Sequence, residues 1–170
     1  DSVSDIGRLT HVTISPWVWC RVPLAGVPKS FQACWEWLRA HDTVGVDFGR
    51  SDWEFIRQLT VRGYRTGVRF RKGANGLTNA VMAECEILDC ETGLDLQALN
   101  EVGLAVYRST LSGCGRTVVY GKDFRSCVQF HSCRYPVGTI EPSNRILVTK
   151  ETAENRSQGA FRSISSVNVN

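Results

Sequence analysis

The chain has 170 residues, of which 42% are hydrophobic and 22% charged, the make-up of a soluble globular protein rather than a disordered or fibrous one. That length predicts a single domain spanning 1–170, able to bury a core without disulfides or metal. Twenty basic against 17 acidic residues leave a net charge of +3, too small to announce a nucleic-acid partner by itself. The basic set is 16 Arg to 4 Lys, and Arg suits bidentate contact with phosphate and carboxylate. No apolar run reaches the roughly 20 residues of a membrane helix, and no N-terminal stretch reads as a signal peptide. Because Met82 is the only methionine, Asp1 reads as a cut or trimmed end. Seven cysteines without a secretory signal predict reduced thiols in a cytosolic setting, mostly small core residues, and leave the sequon at Asn155 idle.

In chain order, "RLTHVTISPWVWCRVPLAG" is β-branched and aromatic but broken by Pro16, predicting two strands with a turn between them. In "KSFQACWEWLRAHD", Phe31, Cys34, Trp35 and Leu38 fall on one helical face, with Ser30 as N-cap. "SDWEFIRQL" has Ser51 and Glu54 at capping-box spacing, predicting a second short helix. The period then changes to two. In "GYRTGVRFRKG", Tyr64, Thr66, Val68 and Phe70 share one face, and Arg65, Arg69 and Arg71 the other. In "NAVMAECEIL", Val81, Ala83, Cys85 and Ile87 are expected inside, with Met82, Glu84 and Glu86 opposite. Further strands are expected in "EVGLAVYRS", "RTVVYGKDFRSCVQFHSCRY", "NRILVTKE" and "GAFRSISSVNVN", while "ETGLDLQALN" stays ambiguous, strand or helical turn. No internal repeat is expected. Helices confined to the early part exclude alternating βαβ units and predict an all-β sandwich or barrel.

The chemistry-bearing residues are sparse. Cys127, His131 and Cys133 have zinc-ligand types, but on one strand the cysteines lie about 20 Å apart, too far to share an ion. Cys34 and His41 are about 10 Å apart along a helix, too far for a thiol–imidazole pair. Neither "GRSDWEF" nor "GCGRT" has phosphate-loop spacing, and Glu84 with Glu86 fits a solvated face. These readings predict no catalytic residue, no metal, no cofactor and a non-enzymatic chain. Trp17, Trp19, Trp35, Trp37 and Trp53 crowd the first third, with core or interface burial as the default.

Taken as B to I, "RLTHVTIS", "VWCRVPLA", "YRTGVRFRKG", "AVMAECEIL", "GLAVYRST", "RTVVYGKDFRSCVQFHS", "RILVTKE" and "GAFRSISSVNV", with "SDWEFIRQLTVRG" as the helix before D, resemble the coat proteins of picornavirus-like plant viruses of the comovirus and nepovirus group (Secoviridae). The insert Phe31 to Gly49 is longer than that pattern expects. The resemblance implies an eight-stranded antiparallel jelly-roll sandwich (BIDG and CHEF sheets) with one or two short helices. It further implies a structural capsid protein cut from a polyprotein, with other capsid subunits and viral single-stranded RNA as partners, no membrane, and a virion assembled in the host cytoplasm. Arg65, Arg69 and Arg71 are then candidate RNA contacts, since phosphate neutralisation is sequence-blind. The alternatives are a small RNA-binding protein, such as a dimeric silencing suppressor, and a carbohydrate- or ligand-binding jelly roll.

Overall fold

The structure, a computed structural model, describes residues 5–122, 124–136 and 140, together with the backbone of 146–149. Its strands are β1 (Ile6–Ile14), β2 (Val44–Phe48), β3 (Trp53–Arg62), β4 (Thr66–Phe70), β5 (Ala80–Ala83), β6 (Glu86–Leu88), β7 (Thr92–Leu96), β8 (Leu104–Tyr107), β9 (Thr110–Ser112), β10 (Arg116–Tyr120), β11 (Val128–His131) and β12 (Ile146–Thr149), with one helix, α1 (Phe31–Ala40), after a 3-10 turn at Pro16–Arg21. Each strand pairs in parallel with its equivalent in the next turn of the chain. Glu54 lies beside Ala80, Ala80 beside Leu104 and Leu104 beside Val128, steps of 26, 24 and 24 residues. The second sheet stacks β2, β4, β7 and β10 in steps of 22, 26 and 24. The result is a parallel β-solenoid of about three turns.

This overturns the antiparallel jelly roll, and the capsid reading that rested on it loses its structural basis. An antiparallel sandwich needs consecutive strands to reverse and pair with each other. Here consecutive strands turn corners and pair one coil away, so a repeat of about 24 residues replaces the expected absence of repeats.

The corners explain how. Gln58, Glu84, Arg108 and Ser132 all adopt positive φ, at 53°, 55°, 44° and 54°, and stand at equivalent places in successive coils. A second corner carries Gly63, Asp89 and Gly113 at 80°, 55° and 69°. A left-handed residue bends the strand and resets which side chains point inward. Hence the single strand expected over Val81 to Ile87 is two, β5 and β6, with the phase reversed between them. Ala80 and Met82 are buried while Val81 and Ala83 face out; beyond Glu84, Cys85 and Ile87 are buried as expected.

Other expectations divide. Ser30 does cap α1, its hydroxyl accepting from Ala33 N at 3.1 Å. The capping-box helix at Ser51 is instead β3, because Ile56, Leu59 and Val61 line the core and Glu54 tucks against Gly7 of the preceding coil. "ETGLDLQALN" resolves into strand β7, and the long strand expected across Arg116 to Tyr135 splits into β10 and β11. Of the two strands expected in Arg8 to Gly26, the first is β1, while the second is the 3-10 turn. Strand β12 falls where one was expected; the last expected strand, "GAFRSISSVNVN", and Asn155 lie outside the described residues.

Inside, equivalent residues stack coil on coil. Val68, Leu94 and Val118 form one fully buried column, Phe70 and Leu96 another, and Val61, Ile87 and Leu111 face them from the adjoining side. Each such side chain contributes about 1.5–3 kcal/mol of burial. The cross-section is narrow at Gly67, where a Cβ would fall 2.5 Å from Ile87 Cγ2 and 2.8 Å from the Gly93 carbonyl oxygen, so only glycine fits. The segment between β1 and β2, holding the 3-10 turn and α1, leaves the coil and packs on the second corner. Trp35 Nε1 donates to Asp89 O at 3.2 Å, and Trp17 crowds Gly63. It carries the first part of the Phe31 to Gly49 insert that is longer than the coat-protein pattern expects; the rest of that insert is β2.

Candidate binding face

Residues 54, 80, 104 and 128 point inward, so their neighbours 55, 81, 105 and 129, and 57, 83, 107 and 131, stand on the outer face of the first sheet. That face has two rims and a floor. One rim is Trp53 and Phe55, ring centroids 6.1 Å apart and 18° from parallel, flanked by Arg8 and Arg57. The other is Tyr107, stacked on His131 at 4.6 Å and 11°. Between them lie only the short side chains of Val81, Ala83 and Ala105. Coils are about 4.8 Å apart, so the rims stand about 10 Å from each other along the solenoid. Phe55 is 41% and Tyr107 39% exposed, high values for aromatic rings on a folded surface. A shallow groove of about 270 Å³ opens on the first rim, lined by Arg8, Thr10, Phe55 and Arg57.

The charges here are mostly positive. Glu84 accepts from both Arg57 Nε at 3.2 Å and Arg108 at 2.7 Å. Arg8 has no ion-pair partner among the described residues. Two guanidinium groups thus share one carboxylate, and a third, Arg8, stands apart from it.

The arginines singled out from the sequence lie elsewhere, on and around β4 in the second sheet, and they do face outward. Arg69 bridges Asp95 at 2.9 Å and Asp42 at 3.0 Å; Arg71 meets Asp47 at 2.8 Å; Arg65 lies 3.7 Å from Glu91. The Arg69 guanidinium holds the Asp42 carboxyl below its ordinary range, by hydrogen bond first and charge second. The strip that looked basic in one dimension is matched by carboxylates from other parts of the coil.

The other sequence candidates do not converge. His131 faces out against Tyr107, Cys133 lies across the Ser132 corner, and no group of three or more metal-ligating side chains forms among the described residues. His41 stacks on Trp37 rather than meeting Cys34. None of the five tryptophans is a core residue: Trp19 and Trp37 are exposed and Trp17, Trp35 and Trp53 half-buried, which corrects the core half of the expectation of core or interface burial. Sequence reasoning missed Phe55, Tyr107 and Arg8, which lie far apart along the chain. The register that joins their strands, in steps of 47, 26 and 24 residues, was the one signal able to bring them together. No family model, no curated protein and no solved structure matches this chain.

Proposed function

We propose that this chain is a binding module whose outer sheet face holds an acidic polysaccharide. The observation that supports this is the pair of exposed aromatic rims, Trp53 with Phe55 and Tyr107 with His131, separated by a floor of small residues and bordered by the unpaired Arg8. Sugar rings present a C–H face that packs on aromatic side chains, whose apolar bodies tolerate exposure at a recognition surface. A guanidinium beside such a platform suits a uronate carboxylate, because Arg offers a planar pair of donors. A strand-built floor keeps these groups in register without any ordering of loops, which lowers the entropic cost of binding.

Nucleic acid fits less well. Single strands also stack on aromatics, but their affinity depends on many phosphate contacts. Among the described residues only Arg8, Arg57 and Arg108 border this face, and two of those share Glu84. Arg65, Arg69 and Arg71 already face carboxylates and carry no part of the proposal.

Affinity electrophoresis through gels containing polygalacturonate, a neutral glucan or single-stranded poly(U) tests the reading. Retardation by polygalacturonate, lost in Phe55→Ala/Tyr107→Ala while folding is kept, supports it. Retardation by poly(U) alone, or by none of the three, overturns it.

A further inference from the structure

The segment outside the coil holds two thiols that neither the core nor the proposed binding face uses. Cys20 lies in the 3-10 turn and Cys34 in the first turns of α1. One backbone carbonyl ties them together: Ser30 O accepts from Cys20 Sγ at 3.3 Å and from Cys34 N at 3.0 Å. The Cys34 thiol in turn reaches back to Pro16 O, at the start of the 3-10 turn, at 3.8 Å. Burial first, and the nearby Cys20 second, push the Cys34 thiol up to about 11. Cys20 is half-exposed and Cys34 buried, and both are free. The remaining thiols offer no such pair in reach of solvent. Cys85, Cys90 and Cys114 are buried in the coil, and Cys127 and Cys133 donate to backbone carbonyls, of Val102 and Val106 respectively.

We propose that Cys20 and Cys34 form a reversible disulfide that pins the 3-10 turn to α1. Closing a loop of about 14 residues removes freedom from a segment held to the coil by few contacts, chiefly Trp35 to Asp89 and Trp17 over Gly63. The segment also carries the exposed rings and aliphatic groups of Trp19, Leu24, Phe31 and Trp37, so the bond fixes the arrangement of an apolar surface.

The oxidant is a small-molecule disulfide of the glutathione class. The Cys20 thiolate attacks one sulfur, forming a mixed disulfide and releasing one glutathione thiolate, which takes up a proton. Cys34 then gives up its proton and attacks the Cys20 sulfur, forming the Cys20–Cys34 bond and expelling the second glutathione. Two protein thiols are oxidised and one glutathione disulfide is reduced to two thiols. The half-exposed thiol makes the first attack because the buried one is shielded from the reagent. Since the second step needs the Cys34 thiolate and burial disfavours that form, this step speeds up as pH rises.

The test incubates the full chain with oxidised glutathione, traps free thiols by alkylation and maps the products by peptide mass spectrometry. The expected first product is a Cys20–Cys34 crosslink with the other five thiols alkylated, reversed by dithiothreitol and accompanied by at least a tenfold slowing of trypsin cleavage at Lys29. Cys34→Ser should stop at a stable glutathione adduct on Cys20, and Cys20→Ser should leave Cys34 unmodified; circular dichroism identifies any variant that fails to fold. A wild-type chain that accumulates the Cys20 adduct without forming the crosslink, or that crosslinks another pair first, overturns the proposal.

Discussion

The two outer faces of the solenoid are built by the same stacking and hold opposite contents. On the second sheet, Asp47, Arg69 and Asp95 occupy one column in successive coils, so charges of alternating sign come into register; Arg69 pairs with Asp95, and Asp47 with Arg71 beside it. On the first sheet the equivalent column reads Arg8, Phe55, Val81, Ala105 and Gln129, which cannot satisfy one another. One face is closed by its own ion pairs; the other leaves two aromatic rims and an arginine unspent. In a solenoid, a charge near its neighbour in sequence says little about which surface is available. The residue one coil away decides it.

Removing both rims should separate the faces most sharply. Phe55→Ala/Tyr107→Ala is expected to weaken uronide binding by about 2–3 kcal/mol, roughly a hundredfold, with little change in the urea midpoint, since both rings are exposed. Arg69→Ala should do the reverse. It leaves Asp95, whose side chain is only 15% exposed, without its ion-pair partner and with Gln97 Nε2 as a neutral donor, and so costs about 1 kcal/mol of stability by urea denaturation while leaving binding unchanged. Arg8→Ala should weaken uronide binding by about 1 kcal/mol and flatten its salt dependence, because the lost contact is electrostatic and solvent-exposed.

The smallest effect concerns Glu54, buried at the edge between the first two coils. Burial raises its carboxyl above the usual 4.5, so the folded state prefers the protonated form. The stability this gives is fully present below 4.5 and is lost as pH rises through the raised value. Glu54→Gln should therefore flatten the urea midpoint across that window and raise it slightly at neutral pH.

Much of the local structure was legible. The helix at α1 showed its stripe and its Ser30 cap, and most strands fell where alternation placed them. Their assembly was hidden because alternation is a property of one strand and says nothing about its partner. The left-handed corners at Glu84 and Arg108 are occupied by residues with no preference for that conformation, so no turn signal marked them. Glu54 misled for a different reason: its three-residue spacing from Ser51 mimics a helix cap, and the buried Ile56, Leu59 and Val61 override it. A repeat was nevertheless present, in "VGVDF" from Val44, "TGVRF" from Thr66 and "TGLDL" from Thr92, each with its glycine at the narrow point of the coil. Aligning these three also brings Asp47, Arg69 and Asp95 into one column, and with them the pairing that closes the arginine-rich face. The binding face needed the same alignment.

The most direct measurement is a chemical-shift map of the isotope-labelled chain titrated with a galacturonate oligomer. The account expects the largest shifts at Phe55, Val81, Ala83, Ala105 and Tyr107, with Asp47, Arg69 and Asp95 silent. Shifts centred on the Arg69 face, or none anywhere at millimolar oligomer, would contradict it.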